Sequence, residues 1–222
     1  MGVRHQEASL ELEQLAKQSL DSSYGDYGDY GDYGNKVLYD LCQSAFEHKE
    51  PAKVIAKVWL IGRSYAAAIE RRKDKTEFAN DDFYIDVVAP KIVESDIDEW
   101  LYELKQFTRL DEDSLNKVLE VHEEVTQLFK DISGLDKRSL ASKYLHFHLP
   151  HLFYIYDARA VRAISYFSHI TGRAKASKTG DKEYNKLVQK CSLLQRHALA
   201  QWQLDLSPRQ IDNVLLMAHA NA

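Results

Sequence analysis

Residues 141–159 read ASKYLHFHLPHLFYIYDAR, a stretch in which one lysine and one aspartate interrupt an otherwise uncharged run. Across residues 139–156 Lys143 is the only fully charged side chain, and Asp157 follows directly. An ammonium in such apolar company needs a partner or a depressed pKa, because burial penalises the charged form. Pro150 lacks an N–H and stops a helix expected over residues 137–149. Residues 151–156 then read as an extended apolar return, and Asp157 is placed to cap a helix running to about residue 170. Seven extended residues reach farther than the roughly 9 Å of helix between positions 143 and 149, so Asp157 can come back beside the amine. The two can form a buried ion pair tying helices together, or the amine and carboxylate of a catalytic site.

Immediately upstream, Ile132, Ser133, Gly134, Leu135 and Asp136 read as a tight turn between two helices, with Gly134 supplying the left-handed backbone that ends the first. That first helix is expected over residues 113–130. Working toward the N-terminus, Ser95 and Asp98 resemble a capping box opening a helix through Phe107, and Asn80 or Asp81 starts a short helix that stops near Pro90. Residues 51–73 form the longest apolar pattern, a central core helix with Pro51 in its first turn. Arg63, Tyr65 and Glu70 are polar groups on or near its buried stripe, and helical spacing favours Trp59 and Tyr65 as core side chains over the lining of a pocket. Asn35 caps a helix over residues 36–48. Ahead of it, residues 24–34 repeat YGD three times, a loop whose tyrosines form either a flexible aromatic arm or a surface expansion, the latter favoured. Leucines at 10, 12, 15 and 20 give residues 8–20 a partial amphipathic pattern. Downstream, a helix over residues 182–202 and a Ser207–Gln210 capping box complete the outline. Every expected element is helical, so the fold class is all-α. The expected organisation is a segment 1–35 carrying the repeat, followed by a helical domain 36–222.

The charge is unevenly placed. The net charge is −5, yet residues 137–198 hold twelve basic residues against three acidic ones, an excess of +9 that leaves −14 for the remainder. Such a split suits one face turned toward a polyanion, or an ordinary solvated helical surface. No apolar run approaches 18 residues and no secretory leader is recognisable, so a cytosolic protein without a membrane partner is expected. Cys42 and Cys191 stand alone, outside any CxxC or Cys/His cluster, and read as reduced core thiols. His146 and His148 point about 160° apart on a helix and His151 lies beyond the proline, which favours hydrogen-bonding roles over a metal site. No metal or cofactor is expected.

The glycine turn, the second helix, the proline-stopped return and the Asp-capped helix together resemble the hairpin and following aspartate of the helix-hairpin-helix DNA glycosylase superfamily. KVWLIGRSYAAAIERR with SLASKYLHFHLPHLFYIYDARA resembles the 8-oxoguanine DNA glycosylase-like proteins associated with bacterial cyclic-oligonucleotide (CBASS) antiphage defence. The resemblance spans about residues 36–200, with a diagnostic part of about 25 residues. It implies a two-lobed helical bundle and an N-glycosylase/AP lyase that flips an oxidised or otherwise modified guanine nucleotide, DNA rather than RNA, with other defence-system proteins as partners. The resemblance implies a lysine nucleophile assisted by Asp157; the apolar surroundings of Lys143 make it the favoured catalytic lysine on physical grounds, with Lys137 as the alternative nucleophile. Gly134, Lys137, Arg138, Ser139, Arg159, Arg173, Lys175 and Lys178 would hold nucleic acid, and Trp59, Tyr65 and Phe153 would line the base pocket. The hairpin departs from Gly-x-Gly in having Asp136 at the second glycine, and superfamily spacing places the nucleophile at Lys137 or Arg138. The alternative is a glycosylase-fold scaffold, without catalysis, that binds nucleic acid, a nucleobase or a protein.

Overall fold

A computed structural model describes residues 2–20, 29–71, 80–172 and 178–221. Among these residues there are helices and turns and no strand. The chain divides into two compact units. One is Gly34–Phe153; the other joins Met1–Tyr33 to Tyr154–Ala222. The boundaries thus differ from a separate segment 1–35 and an undivided 36–222.

In the Gly34–Phe153 unit, α2 (Asp29–Ser44, which begins before the boundary) leads into α3 (Pro51–Ser64), with α1 (Gly2–Leu20) belonging to the other unit. Helix α2 starts inside the YGD repeat, six residues ahead of the expected cap at Asn35, and ends four residues short of His48. Both shifts have a cause. Leu38 and Cys42 anchor the helix in the core, while the Asn35 side chain accepts from the Tyr65 hydroxyl at 2.7 Å. At the other end the Lys57 amine donates to the carbonyls of Ala45, Phe46 and Glu47 at 2.9, 3.4 and 3.3 Å, turning the chain out of the helix.

Helix α3 is shorter than its apolar pattern. It ends at Ser64 because the chain doubles back: Ala66 takes a left-handed φ of 50°, Ala67 N–H donates to the Gly62 carbonyl at 2.7 Å, and a Cβ on Gly62 would meet Ala68 Cα at 2.9 Å. Trp59, placed on the core stripe by spacing, is 44% exposed with the Arg63 guanidinium 5.8 Å from its ring centre.

Helix α4 (Asn80–Phe83) passes into a π-helical turn, Tyr84–Val88, and then α5 (Ala89–Val93), so the helix does not stop at Pro90. The widened turn accommodates a residue without an N–H. Helix α6 (Ile97–Leu104) lacks the expected capping box, since the Asp98 carboxylate is taken by His48: it accepts from the His48 backbone N–H and from Nδ1–H. Helix α7 (Glu112–Ser133) is capped reciprocally by Asp111 and Ser114, and ends at Gly134 with φ 70°. Helix α8 (Arg138–His148) follows and packs on α7 and α3.

The second unit has α1 against α12 (Pro208–Ala220), and α12 against α9 (Ala158–Ala163). Asp157 caps α9 as expected, its Oδ1 accepting from Ala160 N–H at 2.8 Å. The helix ends at Ala163 rather than near residue 170, where the Ser165 hydroxyl donates to the Arg162 carbonyl and competes with the helical ladder. A short turn, α10 (Ser168–Thr171), precedes α11 (Lys182–Trp202), which matches its expected limits. Ser207 and Gln210 form the expected capping box of α12.

Burial holds both thiols protonated, pushing Cys42 up to about 12 and Cys191 higher still. In the first unit a buried polar chain links four elements. Lys57 donates to His148 Nε2 at 3.3 Å, His148 Nδ1–H donates to the Tyr144 carbonyl, the Tyr144 hydroxyl donates to His48 Nε2 at 2.7 Å, and His48 Nδ1–H donates to Asp98 at 2.6 Å. Burial and the nearby Lys57 ammonium lower both histidines, His148 well below its ordinary value and His48 to about 3.

Both histidines therefore take up protons in the unfolded chain before they do so in the folded one. Stability is full above about pH 6.5 and falls as pH drops through 6.5 toward 3, with a slope approaching about 1.4 kcal/mol per pH unit for each histidine. Urea denaturation at pH 7.5, 6.5 and 5.5 should show this decline. His148→Gln should remove about half of its slope.

Candidate active site on the hairpin helix

Tight turning at Gly134 brings α8 back along α7, and the arrangement then follows from helical periodicity. Tyr144 and His148 lie one turn apart and join the polar chain described above. Lys143 and Phe147 form the neighbouring row, which faces Tyr65.

Lys143 is 1% exposed, and its amine donates to Ser139 Oγ one helical turn earlier at 2.7 Å. The Tyr65 ring centre lies 5.9 Å from that amine. Tyr65 itself packs edge-on against Phe147, with its hydroxyl fixed by Asn35. Nearby, the Tyr39 hydroxyl donates to His146 Nε2 at 2.6 Å, and His146 Nδ1–H donates to the Phe153 carbonyl at 2.8 Å. His146 and His148 are thus hydrogen-bonding core residues, as their spacing implied.

Lys137, the alternative nucleophile, sits in the turn. Its amine donates to two backbone carbonyls, Arg71 at 2.8 Å and Ala68 at 3.3 Å. Arg138 and Asp136 form their own pair: the Asp136 carboxylate accepts from the Arg138 backbone N–H at 3.1 Å and from its guanidinium at 3.2 Å. Asp136 therefore puts a carboxylate on the N-terminus of α8. That is the place expected to receive a phosphate. Ser139, expected on the phosphate too, has its hydroxyl on Lys143.

Asp157 lies in the other unit. Its Oδ2 is 3.4 Å from the Arg159 guanidinium, and Arg159 is half exposed. Lys178 is exposed, and Arg173 and Lys175 lie outside the described residues. Of the expected base-pocket residues, Tyr65 is half-buried beside Lys143, Trp59 is at the surface, and Phe153 is fully buried. Among the described residues no group of three or more His, Cys, Asp or Glu side chains could hold a metal ion, and no helix is long and apolar enough to cross a membrane.

Sequence reading did not find Asn35 as the Tyr65 partner or Lys57 and His48 as core polar groups, and of the Arg63–Glu70–Tyr84 cluster it placed Arg63 and Glu70 near the buried stripe without Tyr84. In that cluster Glu70 takes the Arg63 guanidinium at 2.5 Å and the Tyr84 hydroxyl at 2.6 Å. The signal for Asn35 was present but pointed to a helix cap.

Compared with known proteins, the chain has no match to a family model, to a curated protein or to a solved structure.

If the turn between α7 and α8 meets a nucleic-acid backbone, Asp136 repels it. Asp136→Gly should then tighten binding to a short duplex several-fold at low salt, read by fluorescence anisotropy, and the gain should shrink as salt is added.

Proposed function

We propose that this chain is a nucleic-acid base N-glycosylase with AP lyase activity, built as a two-lobed helix-hairpin-helix bundle, with Lys143 as nucleophile and Asp157 as its carboxylate partner. DNA is the favoured substrate, and an oxidised or otherwise modified guanine the favoured base. Antiphage defence, alongside other proteins of such a system, is the setting that the sequence resemblance implies.

The observation that carries this reading is the Lys143 amine: buried in an all-helical chain, on the helix after a glycine turn, beside a half-buried tyrosine, with the next helix capped by an aspartate. A buried amine that can lose its proton is the group this chemistry needs. A nucleotide extruded from the stack costs a few kcal/mol, and an aromatic face such as Tyr65 recovers part of that. Neutral Lys143 attacks C1′ of the sugar. The glycosidic bond breaks, its electron pair leaves with the base, and the base takes a proton. Asp157 stabilises the positive charge on the sugar and accepts the amine proton. Ring opening gives a Schiff base between Lys143 and C1′. Loss of a proton from C2′ and departure of the 3′-phosphate then cleave the strand, and water releases the lysine.

Asp136 favours the other reading, a scaffold of the same fold that does no chemistry, because a carboxylate on the hairpin helix opposes the usual phosphate contact. Borohydride trapping separates the two. Incubation with a duplex bearing an abasic site or 8-oxoguanine should give a covalent adduct that is lost in Lys143→Ala and reduced at least about a hundredfold in rate by Asp157→Asn. Absence of an adduct with every substrate, while the duplex still binds, would establish the scaffold.

A further inference from the structure

Lys137 has chemistry of its own in this fold. Its amine reaches from the turn between α7 and α8 to two carbonyls of the segment 65–71, which follows α3. This segment is otherwise held at one end and on one side. At its start, Ala67 N–H returns to Gly62, and Gly62 lets the backbone of Ala68 approach closely. Farther along, Glu70 is gripped by Arg63 and Tyr84, and Ile69 is fully buried. The Arg71 guanidinium donates to the Ala66 carbonyl at 2.9 Å, and Arg71 N–H donates to the Ala68 carbonyl. Lys137 thus takes two carbonyls of this turn, that of Arg71 and that of Ala68, the latter also accepting from Arg71 N–H.

The first residue of the segment is Tyr65, whose ring faces the Lys143 amine. Lys137 and Lys143 stand on the same hairpin, one in its turn and the other in its second helix. A bond from Lys137 to the segment therefore fixes Tyr65 and Lys143 relative to each other, and the left-handed Ala66 makes an independent hold necessary, since that backbone is unfavourable for alanine.

We infer that Lys137 is a positioning residue: it clamps the segment 65–71 to the hairpin and so sets Tyr65 against the Lys143 amine, and it is not the nucleophile. The consequence for the site rests on the glycosylase reading above; the clamp itself does not. The chemistry is distinctive because arginine can replace a lysine that only donates to carbonyls but cannot replace a nucleophile, since the guanidinium stays protonated.

The experiment compares the full-length chain with Lys137→Arg, Lys137→Ala and Lys143→Ala, by amide hydrogen exchange over residues 65–71 and by borohydride trapping on an abasic duplex. Lys137→Arg should keep wild-type protection and trap within about threefold of the wild-type rate. Lys137→Ala should speed exchange of the Ala67 and Arg71 amides at least about tenfold and slow trapping by about tenfold, a one-ångström misplacement being enough for such a loss. Wild-type protection in Lys137→Ala overturns the clamp. Lost protection with an unchanged trapping rate overturns its bearing on the site. Lys137→Arg as dead as Lys143→Ala, with protection intact, makes Lys137 the nucleophile. If the wild-type chain traps nothing, the glycosylase reading fails and hydrogen exchange alone decides the clamp.

Discussion

The buried Lys57 ammonium is the constraint on which the Gly34–Phe153 unit depends. A fully buried amine is tolerable only with acceptors on every side, and Lys57 finds them in the three carbonyls that follow α2 and in His148 on α8. One side chain thereby ends α2, ties α3 to that end, and holds the last turn of α8. Its proton is also what fixes the histidine. Because Lys57 donates to Nε2, His148 donates from Nδ1 to the Tyr144 backbone carbonyl; separately, the Tyr144 hydroxyl donates to His48 Nε2, which leaves His48 Nδ1–H for Asp98. Burial lowers Lys57 to about 8, so the cost of charging it is real and is offset by this saturation.

Both neighbouring rows of α8 are consequently buried, for different reasons. Tyr144 and His148 belong to the polar chain and set the height and rotation of the helix. Lys143 and Phe147, one residue back from each, are carried by that placement toward Tyr39 and Tyr65. The candidate site inherits its rigidity from a network it does not touch. A helix packed on one row only could rotate, and the 5.9 Å between amine and ring would then have no fixed value.

The parts legible in the sequence are those governed by local chemistry. Gly134, Asp157 and Ser207 end or open helices through their own backbone or the next few amides, and the structure keeps each of them there. Illegible parts are those in which a distant group outbids a local one. Asn35 and Asp98 look like caps and are claimed by Tyr65 and His48; Lys57 gives no sign of its role and is claimed by carbonyls ten to twelve residues away. The apolar pattern of α3 continues past Ser64, yet the chain folds back because Gly62 lets another stretch of backbone approach, which no periodicity records. For the candidate site, the lysine in its uncharged run was readable, whereas Ser139 as its partner and Asp136 on the helix N-terminus depended on which way side chains turn.

Three lysines of this unit can be ordered by what their partners permit. Carbonyl oxygens only accept, so the carbonyls of Ala45, Phe46 and Glu47 at Lys57 and of Ala68 and Arg71 at Lys137 favour an amine that keeps its protons and offer nothing to a lone pair. A serine hydroxyl both accepts and donates. Ser139 can receive a hydrogen from the Lys143 ammonium, and by rotating its own O–H it can donate to the nitrogen once the amine is neutral, so the bond between them can persist in either state. A nucleophilic lysine has to pass between these two states in a place shielded from water, and the partner it needs beside it is one that serves both. That property separates Lys143 from its two neighbours by bond chemistry rather than by position along the hairpin.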